Sequence, residues 1–380
     1  MASTPMDLDE PASSTATPSL NITRTLGANV PSTSKVSDVI SAFRPTKLFQ
    51  RDDIKEGKPQ PYVLSIDFDD PGDLCMTSES DETIQIYNVK EGRHDKSLLS
   101  KKYGVKLAKF THTSSSIIYA STKQNDAIRY LATHDNSFIR YFEGHEKSVT
   151  SLALHPGSDN FISCSLDNTV RLWNIGTKQW TAKLLLNTPH LAAWDPSGTV
   201  FAVASPASGT VLLYDYRNYQ KAPISVVDVL KARGPAEPDA AFRGWTTLEF
   251  SNDGKHILLG SKQGGHFLLD AFDGSLKAYL KKRNGETTRR LAVGESESGN
   301  VESSADCCFS PDGRYVLSGA KKDLLVWDTM ATPAGANKVL EPAYVLEEKR
   351  EAAVVAYNPR YNMIATADQE LMFWLPDPHA

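Results

Sequence analysis

The sequence predicts an all-β fold, a seven-bladed β-propeller that follows an N-terminal extension and is closed by a strand from near the start of the chain. Three observations lead there. Residues 143–183 hold one whole four-stranded repeat, two independent residue series recur seven times, and the last repeat lacks a strand that the N-terminal segment has spare.

The whole repeat sets the frame. Gly144-His145 opens it, residues 149–155 alternate large and small, Pro156-Gly-Ser-Asp159 turns, and residues 160–165 return. Leu166-Asp167-Asn168 turns again, residues 169–174 make a third strand carrying Trp173, and residues 179–184 read as the fourth. Strands this short cannot bury both faces alone, so each repeat needs neighbours stacked on either side.

Two series give the register. An aromatic of the third strand, or its substitute, falls at Tyr87, Tyr130, Trp173, Tyr214, Leu269, Trp327 and Trp374. The hydrophobe before the first turn falls at Phe68, Phe110, Leu154, Trp194, Phe250, Phe309 and Tyr357. Both give seven units about 40 to 48 residues apart, with two longer intervals around blades five and six. Turns after the first strands agree: Asp70-Pro-Gly72, Pro156-Gly157, Pro196-Ser-Gly198, Asn252-Asp-Gly254 and Pro311-Asp-Gly313, where Pro presets φ and Gly supplies positive φ.

Residues 1–36 are rich in Ser, Thr, Pro and Ala without periodicity and read as disordered, which leaves residues 37–380 for the propeller. Residues 37–43 suit one helical turn and residues 44–50 a strand. After Trp374 only six residues remain, too few and too rich in Pro for a fourth strand in blade seven, so residues 44–50 are expected to complete it and cover its edge. The additional residues of the long intervals, 231–242 and 282–304, are charged and poor in hydrophobes, and read as solvated loops on the rim that carries His145.

Composition narrows the function. The chain has 380 residues and a net charge of -5, with a pI near 6.0, which argues against a protein that coats nucleic acid. Cys75, Cys164, Cys307 and Cys308 lack metal-site spacing and fall in predicted strands, the pattern of reduced core thiols in a cytosolic or nuclear protein. There is no apolar run of membrane-spanning length, and residues 1–36 lack the basic start and apolar centre of a signal peptide. Lys262-Gln-Gly-Gly-His266 has the wrong spacing for a phosphate loop, and no nucleophile elbow or zinc-helix motif occurs. No catalytic, cofactor or metal residues are assigned.

The repeat resembles WD40 blades. That resemblance implies one hydrogen-bonded chain through His145, Ser165, Asp167 and Trp173, a structural role for the histidine, since a buried donor without a partner costs roughly 1 to 3 kcal/mol. Only blade three carries the full set. Blades one and seven keep Asp81 and Asp368, and blades two, four, five and six have lost it.

Further segments are more specific: Leu98-Leu-Ser-Lys-Lys-Tyr-Gly-Val105, Ile128-Arg-Tyr-Leu131 with His134-Asp-Asn136, Phe138-Ile-Arg-Tyr-Phe142, Phe250-Ser-Asn-Asp-Gly254, Asp270-Ala-Phe272 and Met372-Phe-Trp-Leu-Pro376. From about residue 37 to 376 the chain is similar to the WD40 subunit of COMPASS-type histone methyltransferase complexes. The resemblance implies a nuclear, non-catalytic adaptor that holds the methyltransferase and supports methylation of histone H3 lysine 4. It also implies roles in cleavage and polyadenylation factor, in assemblies with a type-one protein phosphatase, and towards the serine-phosphorylated tail of RNA polymerase II. A monomeric propeller within a hetero-complex is expected, with no cofactor and no direct contact with nucleic acid or membrane. Lys101, Lys102 and Tyr103, with Glu146 and Lys147 on the adjacent corner, are the candidate partner-binding residues, because a Lys pair beside an aromatic suits an acidic or phosphorylated peptide. Two alternatives stand beside this reading: a WD40 substrate receptor of a ubiquitin ligase, and a propeller enzyme. The enzyme would need ionisable groups converging on the central channel, and the sequence reading finds none.

Overall fold

A computed structural model describes residues 34–51, 60–229, 231, 244–262, 264–282, 306–347, 349–377 and 379. Residues 1–33 and most of the two long loops, 231–242 and 282–304, lie outside the described residues, and so do the expectations placed on them.

Alternating apolar residues and frequent turn signals fold the chain into seven antiparallel sheets, one per repeat. Blade three shows the plan, with strands Val149–Leu154, Asn160–Ser165, Thr169–Asn174 and Ala182–Leu185 hydrogen-bonded in that order. Its fourth strand starts at Ala182, not residue 179, because Trp180 turns aside to lie over the Arg171 guanidinium, 5.5 Å from Cζ to the ring centre.

The cores lie between blades. Phe142 of blade two packs on Phe161 and Trp173 of blade three, with centroids 5.0 and 5.7 Å apart, in one cluster spanning both sheets. Burying each such side chain contributes roughly 2 to 3 kcal/mol, so the blades hold one another up.

The first-strand series holds in all seven blades, and the third-strand series in six. Phe161 pairs with Leu154 on one side and with Trp173 on the other, and the corresponding ladder in blade two runs Phe110, Ile117, Leu131. Leu131 therefore takes the tryptophan position, not Tyr130. A slip of one residue along a strand changes the face, and Tyr130 is half-buried, with its hydroxyl 3.3 Å from Ser116 Oγ. In blade five the ladder Phe250, Ile257, Leu269 places Leu269 in the position that the aromatic holds in other blades.

Gly72, Gly198, Gly254 and Gly313 have φ near 70°, as the turn reading requires. Gly157 lies outside the positive-φ region, so the Pro156-Gly157 turn of blade three needs no left-handed residue. Gly72 is doubly constrained: a Cβ there would stand 2.3 Å from Asn358 Oδ1, where blade seven bonds to blade one.

Closure is as expected. Val36–Val39 and Ile40–Ala42 make a helical turn, and Phe43–Phe49 pairs antiparallel with Leu371–Pro376 from Phe43↔Pro376 to Phe49↔Leu371. Phe43 and Ile40 are buried in the core of blades six and seven, which anchors the strand. One element is unforeseen: Val339–Leu340 leaves the interval before the fourth strand of blade six and adds a parallel fifth strand to Leu276–Lys281 of blade five.

Candidate functional site

Successive antiparallel strands place the turns of each blade on alternating ends of the ring. His145 and the turns between second and third strands share one rim. The turns between first and second strands share the other.

On the first rim, blade three holds a closed polar chain. His145 Nδ1 donates to Asp167 Oδ2 at 3.0 Å, Ser163 Oγ donates to His145 Nε2 at 2.6 Å, and Trp173 Nε1 donates to Ser163 Oγ at 2.8 Å. The serine of the network is thus Ser163, not Ser165. Both point to the same face, but Ser163 is two residues along from the Phe161↔Trp173 pair, the next position on that face, and within reach of the indole. Ser165 lies at the turn, donates to Lys147 O at 2.8 Å and accepts from Asp167 N at 3.1 Å. Burial holds the His145 pKa down, so the ring is neutral, and a carboxylate can only accept, so its proton is on Nδ1. Burial opposes the charge of Asp167, but donors from His145, Thr169 and Glu146 N outweigh it and keep the carboxyl well below its ordinary range.

Blade six keeps part of this arrangement with a histidine from elsewhere. Ser318 stands two residues along from the Val316↔Trp327 pair, as Ser163 does from its own pair in blade three, and His266 of blade five donates from Nε2 to Ser318 Oγ at 2.8 Å. Its Nδ1 accepts from Ser261 N at 3.1 Å. The His266 and Trp327 rings are 6.0 Å apart, the same separation as His145 and Trp173. The expected loss of the network in blade six is therefore incomplete: the serine and histidine sites are filled, while Trp327 Nε1 turns to Leu340 O at 3.1 Å. Only the spatial neighbourhood of Gly265-His266 reveals this, because the motif position ahead of Cys307 holds no histidine.

The candidate partner residues stand together on the same rim. Lys101 and Lys102 are exposed and Tyr103 is half-buried. Lys101 Nζ binds Asp81 O and lies 3.5 Å from Asp81 Oδ2, so the turn of blade one already holds it. Lys102 Nζ lies 5.1 Å from the Tyr103 ring centre. The Arg129 guanidinium covers that ring at 3.4 Å and is enclosed by Phe138 and Tyr141, at 5.7 and 4.9 Å. Tyr103 thus forms one wall of a box whose cation is intramolecular, leaving Lys102 as its exposed charge. Glu146 and Lys147 are exposed at the next corner, with Glu146 N donating to Asp167 Oδ2 at 3.1 Å.

The other rim corrects the sequence reading, because ionisable groups do converge on the channel. The residue before each first-strand marker faces a cavity of about 570 Å³: Asp67, Lys109 and Glu249 carry charge. Ala153, Ala193, Cys308 and Ala356 complete the ring. Lys109 Nζ donates to Asp67 Oδ1 at 2.7 Å, and Phe110 N donates to Asp67 Oδ2 at 2.8 Å. Glu249 repeats the second contact, accepting Phe309 N on Oε2 at 3.1 Å, but no cation stands within ion-pair distance among the described residues. Burial pushes its pKa up to about 7. Each of these residues directly precedes a marker hydrophobe, so the register itself held the signal.

The mouth around this cavity is laced from blade to blade. Asn358 Nδ2 donates to Gly72 O at 2.8 Å, His112 bridges Asp70 Oδ2 and His155 O at 2.9 Å each, and His155 Nε2 donates to Gly198 O at 3.1 Å. Among the described residues no cluster of His, Cys, Asp or Glu is placed to hold a metal ion.

Comparison with known proteins agrees with this architecture. Residues 136–174 and 294–328 match the WD40 family, described as WD domain, G-beta repeat. The chain is 34% identical to the COMPASS component SWD2 of Saccharomyces cerevisiae, over 88% of this chain and 96% of that protein. It is 30% identical to the Set1 complex component swd2 of Schizosaccharomyces pombe, over 89% and 98%, and 34% identical to WD repeat-containing protein 82 of Drosophila melanogaster, over 90% and 96%. Similarity of this extent, over about nine-tenths of the chain, makes it a member of the Swd2 family of WD40-repeat proteins.

Proposed function

We propose that the chain is a non-catalytic scaffold subunit of a nuclear COMPASS-type complex, where it holds the methyltransferase subunit and supports methylation of histone H3 lysine 4. The observation that carries this reading is the nearly end-to-end similarity to a protein named as a COMPASS component. The geometry of the first rim supports it: His145 and Asp167 are committed to each other and to the fold, which leaves surface, not chemistry, as what that rim offers.

On that surface Lys102, Tyr103, Glu146 and Lys147, with Lys101 steadied by Asp81, form the proposed contact for an acidic or phosphorylated partner segment. The phosphorylated tail of RNA polymerase II, cleavage and polyadenylation factor and a type-one phosphatase assembly are the further partners proposed. Purification of the tagged native protein tests the reading. A stoichiometric methyltransferase subunit is the expected result, and recovery of a ubiquitin-ligase scaffold in its place overturns it. Within the complex, Lys102→Glu, which leaves the Lys101–Asp81 contact in place, weakens retention of the partner at fixed salt without changing the melting temperature, and adding Lys101→Glu weakens it further.

A further inference from the structure

The channel ring is unevenly charged. Asp67 and Lys109 satisfy each other on neighbouring blades, while Glu249, in blade five, has one oxygen on Phe309 N and the other without a donor among the described residues. Ala153, Ala193 and Ala356 stand where larger side chains would fill the space, and the cavity persists because they are small. Above the charged level, Phe110, Trp194, Phe250 and Tyr357 give it an apolar wall.

We propose that this end of the channel receives one cationic side chain, an arginine or lysine inserted by a partner protein, with Glu249 as its counter-ion. The inference goes beyond the complex assigned above and stands whichever assembly the chain joins. A long side chain with an apolar stem and a charged head matches apolar walls that end in a carboxylate. The volume, about 570 Å³, falls in the range of binding pockets and leaves room for the backbone that carries the side chain. The laced mouth is held by bonds between blades, so the site is formed before the partner arrives. The elevated pKa of Glu249, near 7, is that of a buried carboxylate short of a cation, although Lys109 lies across the ring.

The test uses the full chain and three blocked tripeptides, Gly-X-Gly with X as arginine, lysine or citrulline, titrated by calorimetry at pH 7. The arginine or the lysine peptide is expected to bind, with the neutral citrulline peptide at least about tenfold weaker, the equivalent of about 1.4 kcal/mol. Binding should also release a proton, seen as an enthalpy that changes with the buffer, because the cation favours the ionised form of Glu249; Asp67, Lys109, Cys307 and Cys308 in the ring, Tyr357 in the wall and Asp70, His112 and His155 at the mouth are the other titratable groups that face it. Glu249→Gln keeps an acceptor for Phe309 N and should weaken binding by at least about tenfold. Ala356→Leu, which fills the cavity and leaves Glu249 in place, should abolish it. Failure of both cationic peptides to bind overturns the proposal, as does equal binding by the citrulline peptide or by either variant.

Discussion

Blades three and six pack a serine and a histidine against the same tryptophan site, yet they build the group in opposite ways. In blade three the histidine comes from the blade's own entry and is protonated on Nδ1, facing Asp167. In blade six it comes from the third strand of blade five and is protonated on Nε2, because Ser261 N occupies Nδ1. What these two blades share is spatial: the buried hydroxyl two residues along from the tryptophan's partner meets a histidine nitrogen, and the source of the ring is secondary. A ring supplied by the neighbour also ties two blades together, which the self-contained network does not do.

The largest effect is expected where that tie is cut. His266 is wholly buried, and His266→Leu removes both the ring nitrogen that accepts from Ser261 N and the N–H donated to Ser318 Oγ, whose other contact is the long one to Gly319 O at 3.4 Å. It should cost about 3 kcal/mol, read as a drop in melting temperature. The acid dependence changes too. Burial, with Lys282 nearby, keeps the folded His266 pKa well below 6.5, so the unfolded chain takes up a proton that the folded chain refuses. Stability from this residue is therefore present above about pH 6.5 and lost as pH falls below it, and the variant should show a flatter melting profile between pH 7 and 5. A loss below that of His145→Leu would reduce His266 to a filler.

This contrast also marks how far the sequence could be read. The seven-fold register was legible because Phe68, Phe250 and Trp374 sit at intervals that only short strands and fixed turns produce. The closing strand was legible from strand bookkeeping alone. Ser163 was missed because Ser165 has the same strand parity, and separating them takes the two-residue offset from the Phe161↔Trp173 pair and the reach of an indole. His266 was missed because its partner lies 52 residues away in another blade. Glu249 was missed for a different reason: strand patterning shows which residues face the ring, but not which charges find partners across it.

The next effect separates the two designs. Asp167→Ala removes the acceptor for His145 Nδ1, the Thr169 hydroxyl and Glu146 N, and should cost about 2 kcal/mol. Nitrogen NMR of the histidines should show His145 as the Nδ1 tautomer and His266 as the Nε2 tautomer in the parent chain. In Asp167→Ala only His145 should lose its preference. The same tautomer for both rings would remove the distinction between the blades.

A smaller difference divides the two serines. Ser163→Ala strands the Trp173 indole N–H and a buried His145 nitrogen, and should cost about 1 to 2 kcal/mol. Ser165→Ala strands Lys147 O and Asp167 N, which lie at a turn near water, and should cost less than about 1 kcal/mol. Melting shifts of the reverse order would return Ser165 to the network.

The smallest effect defines the floor of the comparison. Ser208 lies six residues before Tyr214, as Asp167 lies six before Trp173, and its hydroxyl meets Thr210 Oγ1 at 2.7 Å just as Asp167 Oδ1 meets Thr169 Oγ1 at 2.6 Å. The local turn contact is thus the same in blades three and four. What blade four lacks is the inner half: Val203 stands at the site of Ser163, so no hydroxyl waits for a histidine. Ser208→Ala therefore removes two turn contacts, to Thr210 Oγ1 and to Ser205 O, from an exposed side chain where water replaces them, and stability should change by no more than a few tenths of a kcal/mol. A shift as large as that of Asp167→Ala would mean that the turn contact, not the buried histidine, makes the acid in blade three matter.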